Sequence, residues 1–136
     1  MEFELLLKVS FISTSVMVGV IWVIQLLHYP AFHFISDQKY IEFQHFHMKR
    51  ISIIVIPAML IELASALLLA YFFRSSQTII LLVLLLGVWA TTFIFFTNMH
   101  QKLTYGYNQS IVDRLVKINW SRTTLWSLRL IILLSI

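Results

Sequence analysis

The sequence has no cysteine. Disulfides, Cys-ligated zinc and iron–sulfur centres are therefore excluded, while redox compartment is left open. It has 3 glycines and 2 prolines in 136 residues. That leaves little material for a phosphate-cradling loop, and neither GxxxxGK[ST] nor GxGxxG occurs. Charge is scarce too. Asp, Glu, Lys and Arg make up 12% of the chain, where an ordinary soluble domain carries about 25%. No internal repeat or low-complexity tract is present.

What is there is apolar. Hydrophobic residues make up 60% of the chain, against about 45–50% in a soluble domain, and mean hydropathy is +0.86. A water-soluble protein of this length cannot hide that much apolar surface in one core. Soluble enzyme, disordered regulator and nucleic-acid binder are excluded as first readings. The solvent for most of this chain is lipid. The net charge of +4 then reads as topology and anionic lipid rather than as an acidic partner.

Hydropathy predicts an all-α fold, a single integral membrane domain over residues 1–136. Four transmembrane helices are expected at about 4–28, 37–73, 78–104 and 109–136, each with the roughly 20 residues a bilayer core requires. The first apolar run, Leu5 to Leu27, is broken only by Lys8 and Gln25. It is too long for a signal-peptide core. His28-Tyr29-Pro30 is expected to end it, because the residue before proline is pushed out of the helical region. Ser36 or Asp37 suits an N-cap for the second helix. That helix is amphipathic from Gln38 to Arg50 and apolar from Ile51 to Phe73, with Glu62 inside it and a kink expected at Pro57. Arg74-Ser75-Ser76-Gln77 and Tyr105-Gly106-Tyr107-Asn108 are turns. Four spans with short links predict an up-down-up-down bundle.

Lys39, Lys49, Arg50, Lys102, Arg114 and Lys117 fall at one end of such a bundle. Lys8, Arg74 and Arg129 fall at or toward the other. The positive-inside rule places the basic end in the cytoplasm and both termini outside it, in an inner (plasma) membrane. Lys8 and Arg129 are expected to snorkel to the outer surface.

Two charges lie deeper. Glu62 is 11 residues inward of Phe73, and Arg122 is 14 residues inward of Ile136. At 1.5 Å per residue their depths differ by roughly 5 Å. A buried ion pair between Glu62 and Arg122 is expected, serving helix register or a site. Further polar groups collect toward the cytoplasmic mouth. Gln25 and His28 share a face of the first helix, and Asn119 and Arg122 share one of the fourth. Trp89, Phe93, Phe96 and His100 form a stripe on the third. Gln44 and Glu62 share a face of the second if it is straight. His45 and His47 cannot both point inward.

The catalytic candidates are His28, His100, Asn119, Arg122 and Glu62. The candidates for holding a cofactor are His28, His45, His47 and His100. His33, in a connection, reads as solvated. Trp22, Trp89, Trp120 and Trp126 read as packing or interfacial anchors. Glu42-Phe43-Gln44-His45 has the Glu-x-x-His spacing of di-iron bundles but no second copy, and HExxH is absent, so no metal centre of either kind is predicted. Haem or a single metal ion on the histidines stays open. So does a cofactor-free pocket in which a His acts as base and Asn119 and Arg122 stabilise an enolate or phenolate.

The motifs W-x-x-Q-x-x-H-Y-P (Trp22 to Pro30), P-A-M-L-I-E (Pro57 to Glu62), H-Q-K-L (His100 to Leu103) and N-W-S-R-T-T-L-W (Asn119 to Trp126) run along the chain. Together they resemble a family of small, uncharacterised four-helix bacterial integral membrane proteins, whose likeness covers nearly the whole chain and implies no activity. The four-span layout and the Asn…Trp…Arg helix more distantly resemble the anthrone-oxygenase-like membrane proteins. That resemblance implies oxygenation of an aromatic substrate without a tightly bound cofactor, with His28, Asn119 and Arg122 as the matching positions. The chain departs from it around the His-rich segment.

Three functional readings follow. The first is a multi-pass inner-membrane protein whose polar cluster serves binding or assembly. The second is a small membrane oxidoreductase or oxygenase acting on a lipophilic aromatic or quinone-like compound. The third is a helper subunit that binds another membrane protein or lipid. The expected partners are the bilayer, a lipophilic small molecule and an oligomer or partner subunit, with no nucleic acid.

Overall fold

The computed structural model describes residues 2–136, and no strand occurs among them. Four helices account for nearly all of it: α1 Phe3–Phe34, α2 Asp37–Phe73, α3 Ser76–Leu103 and α4 Gln109–Leu134. Helices α1, α2 and α3 are long and apolar enough to cross a membrane. Helix α4 has the length but carries Asp113, Arg114, Lys117, Arg122 and Arg129, so composition alone does not make it a span. Length and composition thus support three of the four expected spans.

The links follow from local chemistry. Arg74 closes α2 with a left-handed backbone, φ 44°. Ser75 then caps α3, its Oγ accepting from the Thr78 N–H at 3.2 Å. Asn108 caps α4 in the same way, its Oδ1 accepting from the Ile111 N–H at 3.1 Å. Each cap satisfies a helix donor that would otherwise be orphaned. Gly106 sits between α3 and α4 at φ +143°, where a Cβ would be strained.

Helix α1 does not end at His28-Tyr29-Pro30, contrary to the reading of a first span over residues 4–28. A π-helical turn over Ile24–His28 widens the helix just before the proline, and helix continues to Phe34. Pro30 lacks an N–H, and its ring collides with the carbonyl four residues back in a regular α-helix. The wider turn removes that conflict, with the Tyr29 N–H reaching back five residues to the Ile24 carbonyl. Helix α2 runs on through Pro57 without a break.

Helix α1 packs on α2 and α4, and α3 packs on the same two helices. Met17, Ile21, Met59, Val88, Leu115 and Trp126 fill the space between them. Ile12, Leu26, Ile54, Leu60 and Ile131 face outward and are half or more exposed. An apolar outer surface suits a chain whose solvent is lipid.

One ionic contact joins all four helices. Glu62 (α2) and Arg129 (α4) are both fully buried, with Arg129 Nε 3.0 Å from Glu62 Oε1. Glu62 Oε1 also accepts from Thr14 Oγ1 of α1 at 2.6 Å, and its Oε2 accepts from Trp126 Nε1 at 3.0 Å. Arg129 Nη2 donates to Ser10 Oγ of α1 at 2.8 Å, and Nη1 donates to the Leu81 carbonyl of α3.

The expected Glu62–Arg122 pair is therefore corrected to Glu62–Arg129. Arg129 does not snorkel outward either. Only Lys8 is exposed, beside Glu4 at 3.7 Å. The reason is register. Arg122 and Arg129 are seven residues apart, about two turns, so they share a face of α4. The axial offset between α2 and α4 brings the second of them to Glu62.

Removing one member of a buried pair strands the other, at about 3–5 kcal/mol. Glu62→Gln and Arg129→Gln should each show such a loss in unfolding titrations in detergent. The double change should cost far less than the sum, whereas Glu62→Gln with Arg122→Gln should be close to additive. Additive losses for Glu62 and Arg129 would mean that the two charges do not interact.

Candidate functional site

The remaining polar groups form a second network. Gln25 of α1 receives Asn119 Nδ2 (α4) on its Oε1 at 2.9 Å, and its own Nε2 donates to the Val116 carbonyl at 3.2 Å. Thr123 Oγ1 also donates to Gln25 Oε1, at 3.3 Å. Asn119 Oδ1 then accepts from Arg122 Nε and Nη2, at 3.0 and 2.8 Å. The i,i+3 spacing of Asn119 and Arg122 makes this clamp. It aims the guanidinium at Tyr29, whose hydroxyl accepts from Arg122 Nη2 at 3.3 Å. The guanidinium sits over Phe96, its Cζ 3.7 Å from the ring centre. Such a cation–π contact compensates part of the cost of burying the charge.

From Tyr29 the network passes to the histidines. Tyr29 Oη lies 3.0 Å from His100 Nε2, and His100 Nδ1 lies 3.0 Å from Gln44 Nε2 of α2. His47 lies beside His100 with their rings tilted by 34° and their centres 5.4 Å apart, and its Nδ1 meets His28 Nε2 at 2.6 Å. His47 is buried and His45 is exposed, which decides which of the two faces inward.

Two π turns frame this network: Ile24–His28 ahead of Tyr29, and Thr92–Phe96 ahead of His100. Each shifts the face its helix presents, and π turns occur frequently at functional sites. The regular stripe expected from Trp89 to His100 is thereby interrupted. Trp89, Phe93, Phe96 and His100 nonetheless line one common space.

That space is a cleft of about 710 Å³, within the usual range for ligand sites. Its walls are mostly apolar side chains of α2 and α3, among them Ile51, Val55, Met59, Trp89 and Phe93. Its floor is Tyr29, His47, His100 and Arg122. The exposed rim residues Ile56, Leu60 and Phe93 show that it opens sideways between α2 and α3. Trp89 Nε1, in the wall, is buried and has no hydrogen-bond partner among the described residues.

No protein-family model, curated protein or solved structure matches this chain.

The residues singled out from sequence divide into two groups. His28, His47, His100, Asn119 and Arg122 come together in one network. Glu62 belongs to the separate lock with Arg129, and Trp126 stands between the two, bonded to Glu62 with Arg122 Cζ 5.9 Å above its ring. His45 takes no part. His33 is not simply solvated: its Nδ1 meets Tyr107 Oη at 2.7 Å, and its Nε2 lies 3.0 Å from Asp113 Oδ1, clasping the end of α1 to α4. Trp22 reaches Ser127 Oγ at 3.1 Å and packs edge-on against Trp120. Tyr29 and Gln44 were not among the sequence candidates. Tyr29 was hidden by its place before Pro30, where the helix was expected to end.

Among the described residues no three His, Asp or Glu side chains are arranged to hold a metal ion. A metal held axially between two imidazoles needs about 4 Å between their nitrogens, at about 2.0 Å per bond. His28 and His47, at 2.6 Å, do not fit a haem iron between them as they stand.

Asn119→Leu should strip partners from Gln25 and Arg122 together. Each buried group left unpaired costs about 1–3 kcal/mol, so a loss of several kcal/mol is expected in thermal unfolding in detergent. His33→Ala breaks a half-exposed clasp and should cost only about 0.2–1 kcal/mol. Equal losses would contradict the division between interior network and surface clasp.

Proposed function

We propose that this chain is a multi-pass protein of the bacterial inner membrane that takes a lipophilic ring compound into the cleft between α2 and α3. The observation that carries this reading is the cleft itself: apolar walls, a sideways opening, and a polar floor. A molecule dissolved in the bilayer would enter through such an opening without crossing water. Six lining side chains carry rings, namely Tyr29, His47, Trp89, Phe93, Phe96 and His100. Flat aromatic walls favour a flat guest by stacking. The guest's polar atoms would meet the polar floor, where the Tyr29 hydroxyl is held by His100 and Arg122. This accords with the resemblance of His28, Asn119 and Arg122 to positions in the anthrone-oxygenase-like proteins. Acid–base work on an enolate or phenolate suits the same floor.

In this reading α4 is the fourth span of an up-down-up-down bundle. Its charges support that placement, because Arg122 and Arg129 turn inward while Asp113, Arg114 and Lys117 gather at one end. The basic end is cytoplasmic and both termini lie outside.

Two experiments test the proposal. In a chain without cysteine, Ser76→Cys should react with a membrane-impermeant maleimide added outside intact cells. Tyr105→Cys should react only after permeabilisation, and the reverse pattern would invert the topology. For the cleft, naphthalene should bind purified protein in equilibrium dialysis, and Val55→Phe should weaken it about tenfold, which is about 1.4 kcal/mol. Binding that ignores Val55→Phe would place the guest elsewhere.

A further inference from the structure

The hydrogen-bond inventory around Tyr29 determines which atom faces the guest. Gln44 Nε2 lies 3.0 Å from His100 Nδ1 and 3.5 Å from the His100 carbonyl oxygen. Turning the amide over would set two oxygens against each other, so the NH2 group belongs on this side. Gln44 Oε1 is then left buried without a partner, as observed. An amide NH2 only donates, so His100 Nδ1 must accept. A neutral imidazole that accepts at one nitrogen carries its hydrogen on the other. His100 Nε2–H therefore donates to Tyr29 Oη.

Arg122 Nη2 also donates to Tyr29 Oη. A phenol oxygen has two lone pairs and one hydrogen. Both lone pairs are now occupied, and no acceptor among the described residues takes the Tyr29 hydrogen. Tyr29 is almost fully buried and lines the cleft. Its O–H is free to point there. Two donors on the same oxygen draw charge from it, which strengthens the O–H as a donor.

We propose that Tyr29 is the hydrogen-bond donor of the cleft, selecting ring compounds that carry a carbonyl oxygen. This rests on the cleft reading above and names its ligand class. Tyr29 touches the guest directly. His100, Gln44 and Arg122 are positioning residues that act through it.

The test compares 1,4-naphthoquinone with naphthalene on purified protein in detergent. Both fit the same walls, but only the quinone carries a carbonyl oxygen. The wild type should prefer the quinone about tenfold, which equals about 1.4 kcal/mol. Tyr29→Phe keeps the ring and removes only the hydroxyl, so the preference should be lost while naphthalene still binds. Retained naphthalene binding also shows that the variant is folded.

A second measurement needs no variant. The carbonyl infrared band of the bound quinone should split, with the component from the bonded oxygen shifted to lower frequency. An unsplit band, or a preference that survives in Tyr29→Phe, overturns the role of Tyr29 and leaves the cleft standing. If neither compound binds in a way that Val55→Phe weakens, the cleft reading fails and the role of Tyr29 fails with it.

Discussion

Glu62 and Arg129 are both without solvent contact, and a single charge of either sign would be very costly in such an interior. Each must therefore be met, and each is met by several helices at once. The carboxylate draws in Thr14 and Trp126. The guanidinium reaches Ser10 and the Leu81 carbonyl. All four helices are tied at one depth. In lipid there is no hydrophobic force between apolar helices to do this work, so polar contacts and close packing must set their register. Everything nearer the other end of the bundle inherits the register that this contact sets.

The second network depends on that inheritance. Arg122 stands two turns from Arg129 on the same face, so fixing one fixes the other. With Glu62 already engaged, Arg122 finds no carboxylate. It is held by Asn119, Tyr29 and the face of Phe96 instead. A buried cation satisfied by neutral groups keeps its field available to whatever lies beside it. The floor of the cleft is thus electropositive by construction, while its walls are as apolar as the bilayer outside. The two π turns complete the arrangement, rotating Tyr29 and His100 to a common edge.

Much of this was legible in the residues, unevenly. Glu62 stood out because a carboxylate deep in an apolar run needs a partner. Depth counting could not say which arginine supplies it. Arg122 and Arg129 lie 14 and 7 residues inward of Ile136, on either side of the 11 that separate Glu62 from Phe73. The convergence of His28, His100 and Asn119 followed from spacing alone. Tyr29 did not, because the rule that proline ends a helix is local, and here a π turn relieves the conflict. His45 and His47 stand two residues apart and point to different sides of α2, and the packing of α2 against α1 and α3 decides that His47 is the buried one.

The sequence by itself determined the apolar character, the helices and the turns between them, and the requirement that Glu62 and Arg122 turn inward. These follow from transfer energies and backbone geometry, which act residue by residue. The tertiary structure alone decided which charges meet, which histidine is buried and where the cleft opens. Those depend on the axial offset and rotation of one helix against another, and that offset is a sum over all contacts between them. Low charge content said membrane. The packing turned the few charges left inside into one lock and one floor.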